Sequence, residues 1–329
     1  MKCKVVITIV LSLYLSGCDN KSNSAQNVMD NMVYIKGGSF NMGDFCPETT
    51  GYACAMGGSF PVHKVTLDGF YIAKYKVTYQ DYDVYTHEND LPELKVDPVL
   101  LKHHPDLRNP ERPAVANWQL SRDYCQWLGK KTGLPFDLPT EAQWEYAARN
   151  RGQNVLYATD NGKFNLDVNV PSNETIEKGV GISAPYLVGK YPPTPSGLYD
   201  MGTDSPEWVY DWYQKDWYKF SPENNPTGPM KGEQKVVRGV FVGDSREQGA
   251  LNASAVTTSR AGYDPLLKNP VLLVKLNDKY HGNFNKAKNE YDRTNNDPYK
   301  VAEAGFGPEV SFRCVINTTS LPEKYHAAK

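Results

Sequence analysis

This sequence lacks an excess of charge of either sign, and it lacks the short motifs that mark several common catalytic classes. In 329 residues, 36 lysines and arginines face 38 aspartates and glutamates, so the formal net charge is -2. Without a basic footprint, nucleic acid is not an expected partner. There is no P-loop, no GxGxxG and no GxSxG elbow, so nothing indicates a nucleotide, dinucleotide or serine-hydrolase site.

Long hydrophobic runs are scarce too. The apolar run Val5–Leu15 follows two lysines and is too short to span a bilayer as a permanent helix, so we interpret residues 1–17 as a signal peptide. The run ends in Leu-Ser-Gly-Cys18, which resembles the lipobox of bacterial lipoproteins and implies cleavage before Cys18 and lipidation of that residue. An ordinary secretory signal is the alternative interpretation.

The residues after Cys18 indicate a location and a tether. Asp19 resembles an inner-membrane retention signal of enterobacterial sorting, with the outer membrane as the alternative. Residues 18–30 are polar and predict a flexible tether. We therefore expect one domain over 31–318, a tail over 319–329, and a lipid anchor on the periplasmic face of a bacterial membrane.

Cysteine is also limited. Beyond Cys3 and Cys18, the chain has four cysteines, and outside the cytoplasm they are expected to form disulfides in one of three pairings: Cys46, Cys54, Cys125 and Cys314. The first two flank a short loop that contains glycine, which favours a local bridge between them. The second two would then join a helix to the last strand. A zinc site of four thiolates is the competing interpretation, although no CxxC pair is present.

The segment Gly197–Tyr213, GLYDMGTDSPEWVYDWY, is called the acidic segment below. It brings together four carboxylates and three large aromatic side chains: Asp200, Asp204, Glu207, Asp211, Tyr199, Trp208 and Trp212. Repulsion between the carboxylates requires a cation or backbone amides, and the aromatic rings favour a dry environment. The acidic segment therefore predicts a buried, loop-rich element lined with oxygen atoms. The alternative is an acidic turn beside a strand.

Local signals predict two hairpins and three helices. Met32–Met42 alternates around Gly-Gly, and Val62–Lys76 alternates around Asp-Gly, so each is expected to fold back on itself as a hairpin. The helices should begin after the capping residues Thr78, Asn117 and Thr140. Residues 88–113 and 150–190 show little periodicity and are expected to be irregular.

Seven segments, in order, resemble the formylglycine-generating enzyme domain, the sulfatase-modifying factor fold: MVYIKGGSFNMG, DGFYIAKYKVTYQDY, RPAVANWQLSRDYCQWLGKKTGL, DLPTEAQWEYAAR, GLYDMGTDSPEWVYDWY, VVRGVFVG and VSFRCV. They span about residues 32–316. The resemblance implies an α+β, C-type-lectin-like domain that is rich in loops, with short strands and two main helices. It also implies that Cys125 pairs with Cys314.

The resemblance implies a structural calcium ion in the acidic segment. Matched position by position, the ligands are the side chains of Asp200 and Glu207 and the carbonyls of Thr203 and Ser205. The segment departs from the family pattern GLYxxxGNxWEW, because Thr203-Asp204 replaces Gly-Asn and Pro206 replaces the first tryptophan. Both carboxylates are retained, so calcium is the cofactor that the sequence predicts.

The sequence departs from the family at the positions that carry the family's usual chemistry. The family's oxidase binds copper through two cysteines that follow RGGSW, and copper(I) requires soft thiolates. Here those positions hold Asp244 and Gly249. Asp244 and Glu247 are hard ligands or belong to a solvated loop, so no copper is expected. The six histidines lack HxxxH-type spacing, which gives no sign of the iron site of related ergothioneine-type enzymes.

Two function classes remain. The first is a non-catalytic, lipid-anchored periplasmic protein that binds a protein partner, for example a regulator of type VI secretion or an immunity protein against a periplasmic toxin. The insertion Tyr263–Pro308, with the apolar run Pro270–Leu276 and a Lys/Asn-rich arm, could supply its binding surface. The alternative is a metal-dependent oxidase of the same family with altered ligands, including Asp244 and Glu247.

Overall fold

The computed structural model describes residues 28–55, 58–96, 101–102, 105–172, 186–202, 205–239, 255–267, 277–295 and 310–325. The strands are short: β1 (Met32–Ile35), β2 (Gly38–Met42), β3 (His63–Leu67), β4 (Phe70–Ala73), β5 (Phe136–Asp137), β6 (Glu207–Trp212), β7 (Lys235–Arg238), β8 (Arg260–Tyr263) and β9 (Val315–Ile316). The helices are α1 (Cys46–Thr50), α2 (Tyr79–Glu88), α3 (Trp118–Thr132), α4 (Glu141–Ala148) and α5 (Phe284–Asn295).

Three antiparallel sheets organise these strands. The four-stranded sheet has the order β1-β4-β9-β5, the two-stranded sheet pairs β2 with β3, and the three-stranded sheet has the order β6-β7-β8. The strand β9 therefore lies inside the first sheet, between β4 and β5. The result is the loop-rich α+β fold with short strands that the sequence predicts. Within the described ranges, no helix combines the length and the apolar character needed to cross a membrane.

The two predicted hairpins are wrong. Strand β1 pairs with β4 and strand β2 pairs with β3, so the segments 32–42 and 63–73 pair with each other rather than within themselves. The Gly-Gly and Asp-Gly positions are corners at which this paired ribbon leaves one sheet and enters the next. An alternating pattern fixes which face of a strand is buried, but it does not select the strand's partner.

Glycine is required at the first corner because two segments of the main chain touch there. A Cβ on Gly37 would lie 2.4 Å from the carbonyl oxygen of Leu67 and 2.7 Å from the backbone nitrogen of Gly69. Main-chain atoms cannot move aside as a flexible side chain can, so only glycine fits this crossing. The corners are therefore fixed by contact between distant parts of the chain.

The three predicted helix starts are confirmed. The Thr78 hydroxyl accepts from the amide of Asp81, and the Asp81 carboxylate accepts from the amide of Thr78. Asn117 caps α3 by accepting from the amide of Leu120. Thr140 and Gln143 form the second reciprocal box, at the start of α4. Capping depends on residues three apart, which is why the local sequence was sufficient.

An aromatic core joins α2, α3 and the chain's closing segment. Tyr82 stacks on Tyr124 with ring centroids 5.6 Å apart, and Phe312 meets Tyr124 edge-on at 5.7 Å. Beside this core, Cys125 forms a disulfide with Cys314. The helix α3 is thereby held to the residues that lead into β9.

The second disulfide is local. Cys46 and Cys54 are bonded across a separation of eight residues. The carboxylate of Asp44 lies at the centre of this loop and accepts from the amides of Cys46, Cys54 and Ala55. Both predicted bridges are therefore present. The four thiols are consumed in pairs, which excludes a zinc site of four thiolates.

The insertion is described only in part. Its apolar run 270–276 lies outside the described residues. The polar part contains α5, which begins at Phe284. Phe284 is exposed, whereas Ala287 on the next turn is fully buried.

Candidate functional site

Strand β7 leads into the segment where the family's copper cysteines would lie. The strand ends at Arg238, and Asp244, Glu247 and Gly249 lie outside the described residues. What the structure does describe is the base of this segment. Buried side chains from β7, β8, α4 and a surface loop meet there in the arginine–glutamate network, which comprises Glu141, Glu145, Arg149, Tyr218, Arg238 and Arg260.

Every carboxylate oxygen of this network accepts hydrogen bonds. The Glu141 carboxylate accepts from Arg260 at 2.6 and 2.8 Å, from Arg238 at 3.0 Å and from the Tyr218 hydroxyl at 3.1 Å. The Glu145 carboxylate accepts from Arg149 at 2.8 Å and from Arg238 at 2.7 Å. A carboxylate held in this way is not available as a general base, because its lone pairs are already occupied.

The carboxylate and guanidinium groups of the network keep one another ionised. Burial alone would raise the pKa of Glu145, but Arg238 and Arg149 outweigh burial and hold this pKa below its ordinary value. The pKa of Arg238 is raised, since the attraction of Glu145 exceeds the cost of burying the guanidinium. The network therefore stays ionised and acts as a scaffold for the start of the segment after β7.

His63 lies beside this network. Its ring packs 4.6 Å from the Tyr218 ring, and Nδ1–H donates to the Pro61 carbonyl at 3.4 Å. Nε2 is buried and has no hydrogen-bond partner in the described part of the chain. Burial lowers the pKa of His63, so the imidazole is neutral near pH 7. Sequence spacing gave no sign of this position, because its neighbours come from distant segments.

A cationic side chain lies between two tryptophans at the start of β7. The Lys235 ammonium is 3.7 Å from the Trp118 ring centroid and 3.8 Å from that of Trp212, and it donates to the Tyr210 carbonyl at 2.8 Å. Burial lowers its pKa to about 8. Aromatic faces stabilise a desolvated cation, so this lysine ties β6 and β7 to α3.

The acidic segment is buried and rich in oxygen atoms, as the sequence predicts, and part of it is strand β6. Glu207, Asp211 and Asp200 are all buried. Asp211 accepts from the amide of Glu141 at 2.8 Å and so caps the start of α4. The Glu207 carboxylate takes two hydrogen bonds from Arg313, at 2.6 and 2.9 Å.

The expected calcium ligands have different surroundings. One carboxylate oxygen of Asp200 accepts from the Gly189 amide at 2.8 Å, and the other has no partner within the described ranges. The Ser205 carbonyl accepts from the Lys76 ammonium at 2.5 Å. Thr203 lies outside the described residues. The structure therefore brings Asp200, Ser205 and Glu207 into one buried segment. It also places the cationic side chains of Lys76 and Arg313 against them.

Comparison with known proteins accords with this fold. The family described as sulfatase-modifying factor enzyme 1-like domain matches residues 19–261. A formylglycine-generating enzyme from Streptomyces coelicolor is 30% identical over 253 residues, which cover 63% of this chain and 77% of that protein. A Bos taurus protein named inactive C-alpha-formylglycine-generating enzyme 2 is 27% identical over 307 residues, which cover 78% of this chain and 89% of that protein.

Other relatives are longer proteins or share only the fold. A Chlamydia pneumoniae protein named serine/threonine-protein kinase pkn1 is 29% identical over 248 residues, 70% of this chain, yet the chain spans only 36% of that protein. The structure of PvdO from Pseudomonas aeruginosa superposes with a TM-score of 0.60 at 22% identity, covering 87% of this chain and 94% of that one. Treponema denticola variable protein 1 gives 0.53 at 17% identity, with coverages of 87% and 95%.

Proposed function

We propose, since this chain belongs to the sulfatase-modifying factor enzyme 1-like family, that it keeps the family's scaffold and uses it to bind a protein partner without catalysing a reaction. The observation that carries this proposal is the state of the thiols. Four cysteines are paired in two disulfides, and the other two in the sequence are Cys3 and Cys18. Copper(I) requires thiolates, and the copper positions hold Asp244 and Gly249.

The described groups near the end of β7 support the same conclusion. Glu141 and Glu145 are saturated by arginines and by Tyr218, so they form a support rather than an acid–base pair. A relative that carries the name of an inactive enzyme has 89% of its length aligned with this chain. Loss of the reaction with retention of the scaffold is thus compatible with this family.

In the proposed setting, Cys18 is lipidated and residues 18–30 tether the domain to the periplasmic face of a membrane, the inner membrane being favoured by Asp19. The partner would be a periplasmic protein, such as an incoming toxin or a component of a type VI secretion system. The insertion 263–308 supports a binding role because added loops on a rigid core commonly carry recognition. Its helix α5 exposes Phe284.

The absence of chemistry is tested first. Purified protein should contain no stoichiometric copper or iron, and incubation with copper(I), oxygen and a cysteine-containing peptide should give no formylglycine. The Streptomyces coelicolor enzyme is the positive control. Stoichiometric redox metal or turnover would support the alternative, an oxidase with altered ligands such as Asp244, Glu247 or the neutral His63.

Partner binding needs a separate experiment. The lipidated protein would be cross-linked in its native envelope, and any captured protein would be purified and titrated against the isolated domain. We expect Phe284→Ser to weaken this complex and Met230→Ser, a fully exposed control elsewhere, to leave it unchanged. Failure to reconstitute any complex from purified components would count against a binding role.

A further inference from the structure

Lys76 places a buried positive charge where the fold family would be expected to hold calcium. The residue follows β4 by three positions and is only 2% exposed. Its ammonium donates to the Ser205 carbonyl at 2.5 Å, which is one of the oxygens expected to bind the metal. Burial raises the pKa of Asp200, and Lys76 opposes that rise more than any other charge does. The ammonium therefore faces both a predicted carbonyl ligand and a predicted carboxylate ligand.

Arg313 binds the carboxylate of Glu207, the second expected side-chain ligand. Its guanidinium makes a two-pronged contact with Glu207 at 2.6 and 2.9 Å and also donates to the carbonyls of Ala73, Lys74 and Tyr199. Two buried carboxylates, Asp200 and Glu207, thus face two buried cations. The charges of these two carboxylates are therefore balanced by side chains of this chain.

We propose that the Lys76 ammonium replaces calcium in this protein, so that folding and stability of the domain do not depend on calcium. Calcium binds six to eight oxygens at 2.3–2.6 Å. Of the expected ligands in the described part, the Ser205 carbonyl is bound by the ammonium and both Glu207 oxygens are bound by Arg313. A divalent ion beside Lys76 would also be repelled by it.

The backbone of Asp200 fits this arrangement. Its φ of 59° lies in the left-handed region, which aspartate tolerates better than most residues. This conformation accompanies a carboxylate held by the Gly189 amide. The position therefore needs a short acidic side chain whether the neighbouring cation is a metal or an ammonium. That requirement explains why Asp200 is retained in a site that has exchanged its ion.

The test is thermal unfolding in millimolar calcium and in excess chelator. For the wild-type protein we expect the two melting temperatures to agree within about 1 °C, because a ligand that does not bind the folded state does not shift it. Lys76→Met should melt lower in chelator and regain several degrees in calcium, since the variant frees the Ser205 carbonyl and leaves Asp200 unbalanced. Lys74→Met is the matched control, because Lys74 is two residues away and its ammonium donates to the Asp30 carbonyl. Its melting temperature should not change with calcium.

Two results would overturn the inference. One is a wild-type protein stabilised by calcium or carrying calcium in native mass spectrometry, a measurement that does not need the variant to fold. The other is a folded Lys76→Met protein that remains insensitive to calcium, which would show that lysine and metal do not compete for one place. The outcome does not depend on whether the protein is an enzyme.

Discussion

Within the described ranges, four arginines are almost inaccessible to solvent, and each is matched by acceptors. Arg149, Arg238, Arg260 and Arg313 are at most 1% exposed. Burying a guanidinium is costly, so each one requires a carboxylate or several carbonyls at hydrogen-bond distance. These pairs specify which segments meet in the core. They also make the structure sensitive to the loss of either partner.

The Arg313–Glu207 pair gives the clearest stability prediction. Arg313→Met should lower the free energy of unfolding by about 3–5 kcal/mol, because it leaves a buried carboxylate without its partner. It also removes one donor from each of three backbone carbonyls, of which that of Lys74 still accepts from the Tyr199 amide. Urea unfolding followed by tryptophan fluorescence measures the change. Lys64→Met, which breaks an exposed pair with Glu223, is the control and should leave the unfolding midpoint almost unchanged; equal losses for both variants would contradict the prediction.

Asp211 predicts a pH dependence of stability. Burial and the charge of Glu141 raise the pKa of Asp211 from an ordinary value of 3.8 to about 7. The folded protein therefore holds a proton that the unfolded chain releases, and the stability this provides is present below about pH 4 and is lost as the pH rises through 7. Asp211→Asn removes this dependence while an amide oxygen can still accept from the Glu141 amide.

The measurement is the free energy of unfolding of both proteins at several pH values from 4 to 8. Relative to wild type, Asp211→Asn should gain on the order of 4 kcal/mol across that range. Asp216→Asn changes an exposed carboxylate on a surface loop and should follow the wild-type curve. Parallel curves for wild type and Asp211→Asn would show that Asp211 titrates normally.

At the scale of elements, local signals were sufficient for the helices but not for the strands. The caps at Thr78, Asn117 and Thr140 involve residues three apart, and all three were predictable. Strand partners are chosen by contacts between distant segments. The Gly37 corner is an example, because its requirement for glycine comes from Leu67 and Gly69 rather than from its own neighbours.

Some features of the candidate site could likewise be predicted from the sequence, and others could not. The replacement of the copper cysteines could be found from the sequence because a motif marks their positions. The role of Lys76 could not, since nothing in the segment YIAKYKVT indicates that its ammonium reaches Ser205, far along the chain. His63 is similar, because its buried ring depends on Tyr218 from another loop.

The two disulfides should differ in their effect on stability. Cys125–Cys314 closes a loop of 189 residues, and Cys46–Cys54 closes one of 8. In the chain-entropy account, removal costs about 5 kcal/mol for the long loop and about 2.5 kcal/mol for the short one. Guanidinium denaturation of C125A/C314A and C46A/C54A compares them. A larger loss for the short bridge would mean that its packing against Asp44 outweighs the entropy of the unfolded chain.

At the scale of the whole molecule, the proposed anchor gives a prediction that does not involve the fold. Cys18→Ser should abolish incorporation of labelled fatty acid, because the acyl chains would have no attachment site. Cys3→Ser, within the proposed signal peptide, is the matched control and should remain anchored. Incorporation of labelled fatty acid into Cys18→Ser would contradict lipid attachment at this residue.

The position of β9 has a consequence for how the protein is made. Val315 and Ile316 fill the gap between β4 and β5, so the first sheet stays incomplete until a segment far downstream of both strands has been synthesised. Until then, the facing edges of β4 and β5 have no strand between them. Cys314, which forms the disulfide with Cys125 of α3, has also not been synthesised. The first sheet can therefore close only after β6, β7 and β8 have been synthesised, and a chain that stops before Val315 would leave this sheet without its inner strand.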